Sequence, residues 1–340
     1  MSGDTSKPPA TRGRRRLGIA LLIVVALPLF AEAVVRFLDL VPVVGPALTS
    51  ADPVYGKRLK ASLRCERRTP WFRMRFTTNS RGWRGPEPRE GRGAIVVIGD
   101  EAALGYGVDD GLEFPRLLET ALRSQGGGAE LADLAIPDSA TGRSLLVLRD
   151  ALRDLSPRAV VLQIDGADFA EVSREGLFRI DAERRLVRLT VPPPSLGRRL
   201  QSFVESVPVL RDAHLMFLLR GAIAVNESDP RDPTPRIPGG EAPAAVGDGL
   251  AFALLDEIAR ALHDATCPAL IVLTGRVAPL DLAALRSFCV REGFPLVIGP
   301  SPDEDSAAYL GDRASLSARG QATIAEALLP PLLPLLERRR

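Results

Sequence analysis

Histidine is almost missing from this chain. There are two in 340 residues, His214 and His263, so a site built on imidazole, whether as base or as metal ligand, has few candidates. His263 ends a helical stripe and His214 falls in a long irregular segment, and both read as partly exposed polar residues. Cysteine is scarce as well. Cys65, Cys267 and Cys289 show no CxxC pairing, which speaks against a zinc site. Cys267 and Cys289 are expected as buried free thiols, with a disulfide between them as the alternative. Excess charge is also lacking: 44 basic against 42 acidic residues give +2, which makes no case for nucleic-acid binding. No internal repeat is visible, and no cofactor and no metal site is assigned.

What charge asymmetry exists lies at the start. Lys7, Arg12, Arg14, Arg15 and Arg16 stand against Asp4, and an unbroken apolar run follows over 17–31, interrupted afterwards by Glu32 and Arg36. Basic residues before an apolar helix mark its cytoplasmic end, so the rest of the chain is expected outside the cytoplasm. Residues 17–38 are long enough for an uncleaved anchor, the reading preferred here. A cleaved signal peptide, with Ala31-Glu32-Ala33 as a small-x-small site, is the alternative.

After a lead-in over 39–90, rich in proline, glycine and arginine, strand and helix patterns alternate. Short β-branched or apolar runs at 95–98, 131–136, 159–164, 269–273 and 295–298 predict strands. Helical spacing predicts helices at 114–122, 145–155, 250–262, 280–290 and 317–337, the last with Ser317 as N-cap. Such alternation implies a parallel sheet with right-handed crossovers. Roughly 75 residues after the third strand do not fit and form an insertion, at about 172–249. Within it 178–180 and 186–191 suit a hairpin, 203–219 suits a helix broken at Pro208, and 230–249 suits a loop. The basic tail is therefore 1–16, the anchor 17–38, the lead-in 39–90 and the α/β domain 91–340.

The segment Ile95-Val96-Val97-Ile98-Gly99-Asp100-Glu101 resembles the opening motif of the SGNH (GDSL-like) hydrolase family, in which the nucleophilic serine follows Gly-Asp. Three later segments resemble the family's other motifs: Asp133-Leu134-Ala135-Ile136-Pro137-Asp138, Asp165-Gly166-Ala167-Asp168, and Asp312-Arg313-Ala314-Ser315 with Gly320 beyond. The segment Thr78-Asn79-Ser80-Arg81-Gly82-Trp83-Arg84-Gly85 is similar to the lead-in of a membrane-attached branch. The resemblance covers about 75–337. It implies a three-layer α/β sandwich around a central parallel five-stranded sheet, SGNH-hydrolase or flavodoxin-like, with a site at the carboxyl ends of the strands.

At each signature position the family's residue is replaced. Glu101 stands for the serine, Asp138 for an oxyanion-hole glycine, Ala167 for the asparagine donor and Ser315 for the histidine, while Asp312 is retained. A carboxylate nucleophile would yield an anhydride from an ester, and one lost oxyanion donor costs roughly 3 kcal/mol of transition-state stabilisation. The Ser-His mechanism is therefore expected to be absent. Gly99, Gly105, Gly107 and Gly320 are kept for turns and close packing.

Asp100, Glu101, Asp138, Asp165, Asp168 and Asp312 are expected on one rim. Mutual repulsion there requires protonation, a cation or arginine partners, and pairing with Arg81, Arg84, Arg143 and Arg313 is the preferred account. The expected function is a membrane-tethered, extracytoplasmic, non-catalytic protein that binds or scaffolds near cell-surface glycan or envelope proteins. The alternatives are an active esterase or O-acyltransferase on cell-surface glycans working through a serine such as Ser139 or Ser315, and a carboxylate site for a metal or sugar.

Overall fold

The computed structural model describes residues 10–87, 93–126, 130–194, 213–218 and 249–337, with isolated positions between 199 and 210. The loop expected at 230–249 lies outside the described residues apart from Gly249; of the helix expected at 203–219, residues 214–218 are helical, and Pro208, where a break was expected, lies outside the described residues. Helix α1 (Ala10–Phe37) takes in the apolar run and Pro28. Its side chains at Leu22, Val24, Leu27, Leu29 and Phe30 are 65–68% exposed. Among the described residues no helix is long and apolar enough to cross a membrane.

The lead-in folds into two antiparallel hairpins that were not predicted. Strand β1 (Thr49–Asp52) pairs with β2 (Gly56–Leu59), and β3 (Arg64–Arg68) with β4 (Arg73–Thr77). In β4, Met74 and Phe76 are buried while Arg73 and Arg75 are exposed, the alternation expected of a strand lying on a core with its other face in water.

Strands β5 (Ile95–Ile98), β6 (Leu131–Asp133), β7 (Ala159–Asp165), β10 (Ala269–Thr274) and β11 (Leu296–Ile298) form one parallel sheet in the order β11-β10-β7-β5-β6. Between β7 and β10 lies a two-stranded hairpin of β8 (Phe178–Ile180) and β9 (Leu186–Arg188), as expected from the sequence. The central strands are apolar on both faces because both are covered. Val96, Ile98, Leu162 and Ile271 pack into one layer, and Ile95, Val97, Val161 and Val272 into the other.

The helices are α2 (Glu101–Leu104), α3 (Phe114–Ser124), α4 (Thr141–Leu155), α5 (Asp168–Glu175), α6 (Leu250–Asp264), α7 (Pro279–Glu292) and α8 (Ala318–Glu337). The first layer holds buried side chains of α4, α5, α6 and α7; the second holds those of α2, α3 and α8, with Met74 and Phe76 of the hairpin. Counting only these five strands in chain order, the sheet reads 2-1-3-4-5. The order reverses between β5 and β7, where such sheets place their ligands. Among the described residues no disulfide links Cys65, Cys267 and Cys289, of which the last two are buried.

Candidate functional site

The turn after β5 is fixed from beneath. The Asp100 amide donates to Gln163 Oε1 at 2.7 Å, and Gln163 Nε2 donates to Thr274 Oγ1 at 2.9 Å. A Cβ on Gly99 would collide with the Gln163 side chain, so this close approach requires glycine. Asp100 then caps α2, its carboxylate accepting from the Ala102 amide at 2.8 Å. Helix α2 ends at Gly105, whose φ of 68° is left-handed. Buried Gln321 on α8 holds the same turn, accepting from the Phe114 amide at 2.8 Å and donating to the Ala102 carbonyl at 3.0 Å.

At the head of α2, where a nucleophile would stand, Glu101 turns onto the second motif. Its Oε1 accepts from the Asp138 amide at 2.7 Å, and its own amide adds a second backbone hydrogen bond. Asp138 has a φ of 46°, so the second motif keeps the left-handed backbone that suits glycine. The Asp138 carboxylate is paired with Lys57 of β2. Burial, and then the Asp138 carboxylate, push Glu101 up to about 7, with Lys57 opposing. Burial holds Lys57 below the usual amine value, with Arg143 adding to the effect and Asp138 opposing it.

The other two motifs lie on either side. Ala167 offers no side-chain donor; its amide donates to Asp165 Oδ1 at 2.9 Å. Asp168 is buried, accepts from the Asp165 amide at 3.0 Å, and is held well above the usual carboxylate range by burial and by Asp100 and Asp165. In the last motif Ser315 Oγ donates to Asp312 Oδ2 at 2.7 Å, and the Ser315 amide donates to Asp312 Oδ1 at 2.9 Å. Tyr106 senses both halves: burial raises its phenol, Arg67 opposes this, and the Glu101 and Asp312 charges raise it further.

The four arginines expected on the rim have these partners. Arg84 pairs with Asp110, and Arg143 with Glu175 at 3.2 Å while donating to the Asp138 carbonyl at 2.6 Å. Arg313 reaches Asp303, and Arg81 lies over the Trp83 ring. Lys57 is a cation at the rim that was not expected, paired with the Asp138 carboxylate. Among the described residues no group of three or more His, Cys, Asp or Glu could hold a metal ion. His263 is exposed and beside Glu292, and His214 lies beside Glu32. Buried Ser139 is in the turn after β6.

Lys57, Tyr106, Arg67, Gln163 and Gln321 were missed from the sequence. The hairpin residues had a signal in the alternation of Arg73-Met74-Arg75-Phe76. The glutamines had none, since only the crossing of distant elements makes them neighbours.

The signature positions follow β5, β6 and β7 and precede α8, around the point where the sheet order reverses. The fold is SGNH-hydrolase-like. No family model matches the chain, and no curated protein matches it. Solved structures similar to it include TesA, 15% identical over 71% of this chain and 99% of that one, with a TM-score of 0.43. The psychrotrophic esterase EstA from Pseudoalteromonas sp. is 11% identical over 72% of this chain and 100% of that one, with a TM-score of 0.41. AlinE4, an SGNH-hydrolase family esterase, is 18% identical over 62% of this chain and 77% of that one, with a TM-score of 0.33.

Proposed function

We infer that this chain is a non-catalytic relative of SGNH hydrolases, tethered by α1 with its α/β domain outside the cytoplasm, where it binds or scaffolds. The observation that carries this reading is Glu101 on the Asp138 amide at 2.7 Å. An ester hydrolase keeps such an amide free for the oxyanion of its intermediate; here a resident carboxyl group takes it. The Ser315–Asp312 pair supports the same reading, because a serine hydroxyl cannot serve as a neutral-pH base. The tether is supported by the basic flank, the apolar run over 17–31, and the exposed apolar side chains of α1. Its 28 residues make a helix about 42 Å long, against a hydrocarbon core of about 30 Å.

The test is hydrolysis of a small activated acetyl ester by the purified full chain, with labelling by a serine-directed fluorophosphonate. Hydrolysis at background and no labelling are expected. Stoichiometric labelling at Ser139, Ser315 or any other serine overturns the non-catalytic reading and favours an esterase or acyltransferase working through that residue.

A further inference from the structure

Lysine is rare in this chain. Of its 44 basic residues only Lys7, Lys57 and Lys60 are lysines, and the rest are arginines. For a plain ion pair arginine is the stronger residue, because its guanidinium stays charged and grips a carboxylate with two parallel bonds. Lysine has a property that arginine lacks: its amine can lose a proton and become a nucleophile. Lys57 stands beside the second signature position and is mostly buried, with 16% of its side chain exposed.

Three side chains from three elements meet there: Lys57 on β2, Glu101 at the head of α2 and Asp138 in the turn after β6. Lys57 Nζ touches the Asp138 carboxylate, one bond away from the carboxyl carbon. The backbones that carry the pair are held together as well. Arg143 donates through Nε to the Tyr55 carbonyl at 2.8 Å, two residues before Lys57, and through Nη1 to the Asp138 carbonyl at 2.6 Å. Its charge is met by Glu175 at 3.2 Å. On the other side the Asp138 amide donates to Glu101 Oε1 at 2.7 Å. Burial favours the neutral amine of Lys57, with Arg143 acting in the same sense. Glu101, at about 7, can give and take a proton near neutrality.

We propose that Lys57 and Asp138 are a modification site at which the chain joins itself, the ion pair being the precursor of an intramolecular amide bond. The proton of the ion pair first moves from Nζ to the carboxylate. The neutral amine then attacks Cγ, and the N–C bond forms. One proton of the attacking nitrogen passes through Glu101 to the hydroxyl on Cγ, the C–O bond breaks, and water leaves. The balance is one amine and one carboxylic acid for one amide and one water, with no oxidant or co-reactant. Two charges held largely out of water are removed, and desolvation is what makes such a pair costly. Reactants held in contact also act at effective concentrations far above those of free groups. The Asp138 side chain is 33% exposed, which gives the water a way out. The bond joins residues 81 apart and would constrain the unfolded chain as a disulfide does. It forms once, within the chain, and so is compatible with an absence of ester turnover.

Mass spectrometry of the purified, folded full chain tests this. After denaturation and trypsin, segments 37–58 and 124–143, each bounded by arginines, are expected to stay joined, at the sum of their masses less one water. The intact chain is expected to be lighter by the same water. Lys57→Arg keeps the cation, and Asp138→Gly suits the φ of 46° at that position; both are expected to show the full mass and separate segments. Glu101→Gln keeps a donor for the carboxyl group but cannot pass a proton, and is expected to reach the joined form more slowly. A folded parent with the full mass and separate segments overturns the inference. So does a water loss confined to 124–143, which would be a cyclic imide of Asp138 with the next amide, and so does a water loss that survives in Lys57→Arg.

Discussion

Glu101 carries its proton further up the pH scale than a free carboxylate does, and this fixes the sign of a pH effect. Its value is about 7 in the folded protein against about 4.3 unfolded. Between those values the folded protein holds a proton that the unfolded chain has released, so stability falls as pH rises from about 4 to about 7 and is level above. Buried Asp133 behaves alike: burial pushes it to about 7, and its Oδ2 has no hydrogen-bond partner among the described residues. Glu101→Gln keeps an acceptor for the Asp138 amide and cannot ionise. The variant is expected to match the parent near pH 4 and to exceed it at pH 8, by on the order of 2 kcal/mol after discounting for the partial exposure of the site. Denaturant titrations at the two pH values decide it; a variant less stable than its parent at pH 8 would mean that the ionised carboxylate, through Lys57 and the two amides, is a net stabiliser.

At the scale of elements, the two hairpins ahead of the sheet are part of the domain. Arg84, just past β4, is fully buried and donates to the carbonyls of Leu104, Gly105 and Val108 at 2.6, 2.7 and 2.8 Å, while its guanidinium lies 4.9 Å from the Phe76 ring centroid. It thereby holds the loop that carries Tyr106. Arg84→Met leaves those carbonyls and the Asp110 charge without their partner, and is expected to cost about 3–5 kcal/mol, the usual penalty for removing one side of a buried ionic contact. A loss below about 1 kcal/mol in chemical denaturation would show that water replaces the guanidinium.

This region also marks where the sequence stops being readable. Strands β5, β7 and β10 stood out because burial on both faces demands unbroken runs such as Ile95-Val96-Val97-Ile98. Strands β1–β4 are short and half solvated, and their arginines read as loop composition, although Arg73-Met74-Arg75-Phe76 has the period of two. Helix α5 begins within the third motif and is polar enough, as Asp-Phe-Ala-Glu-Val-Ser-Arg-Glu, to pass for a loop. The motif positions of the site were legible because three of them follow a strand and the fourth precedes the closing helix. Their partners were not, because Lys57 and Asp138 are 81 residues apart and meet only once the hairpins dock.

For the whole molecule, the proposal that α1 is an anchor predicts both which side of a membrane the domain occupies and that α1 survives processing. The basic cluster Arg12, Arg14, Arg15 and Arg16 precedes the apolar run, and such clusters stay on the cytoplasmic side. Cleavage after Ala33 would cut inside α1, which continues helical to Phe37. It would also sever the helix beside Glu32, whose carboxylate is engaged by two amides of the domain. A helical, docked segment resists a protease that needs extended backbone. The expected outcome is therefore an intact amino terminus and a domain outside the cytoplasm. A reporter fused after Arg340 that works only outside the cytoplasm, together with terminal sequencing of the membrane fraction, checks both at once. Reporter activity inside the cytoplasm would refute the orientation. A mature terminus at Glu32, Ala33 or Val34 would refute the anchor while leaving the orientation intact, because a cleaved signal delivers the domain to the same side.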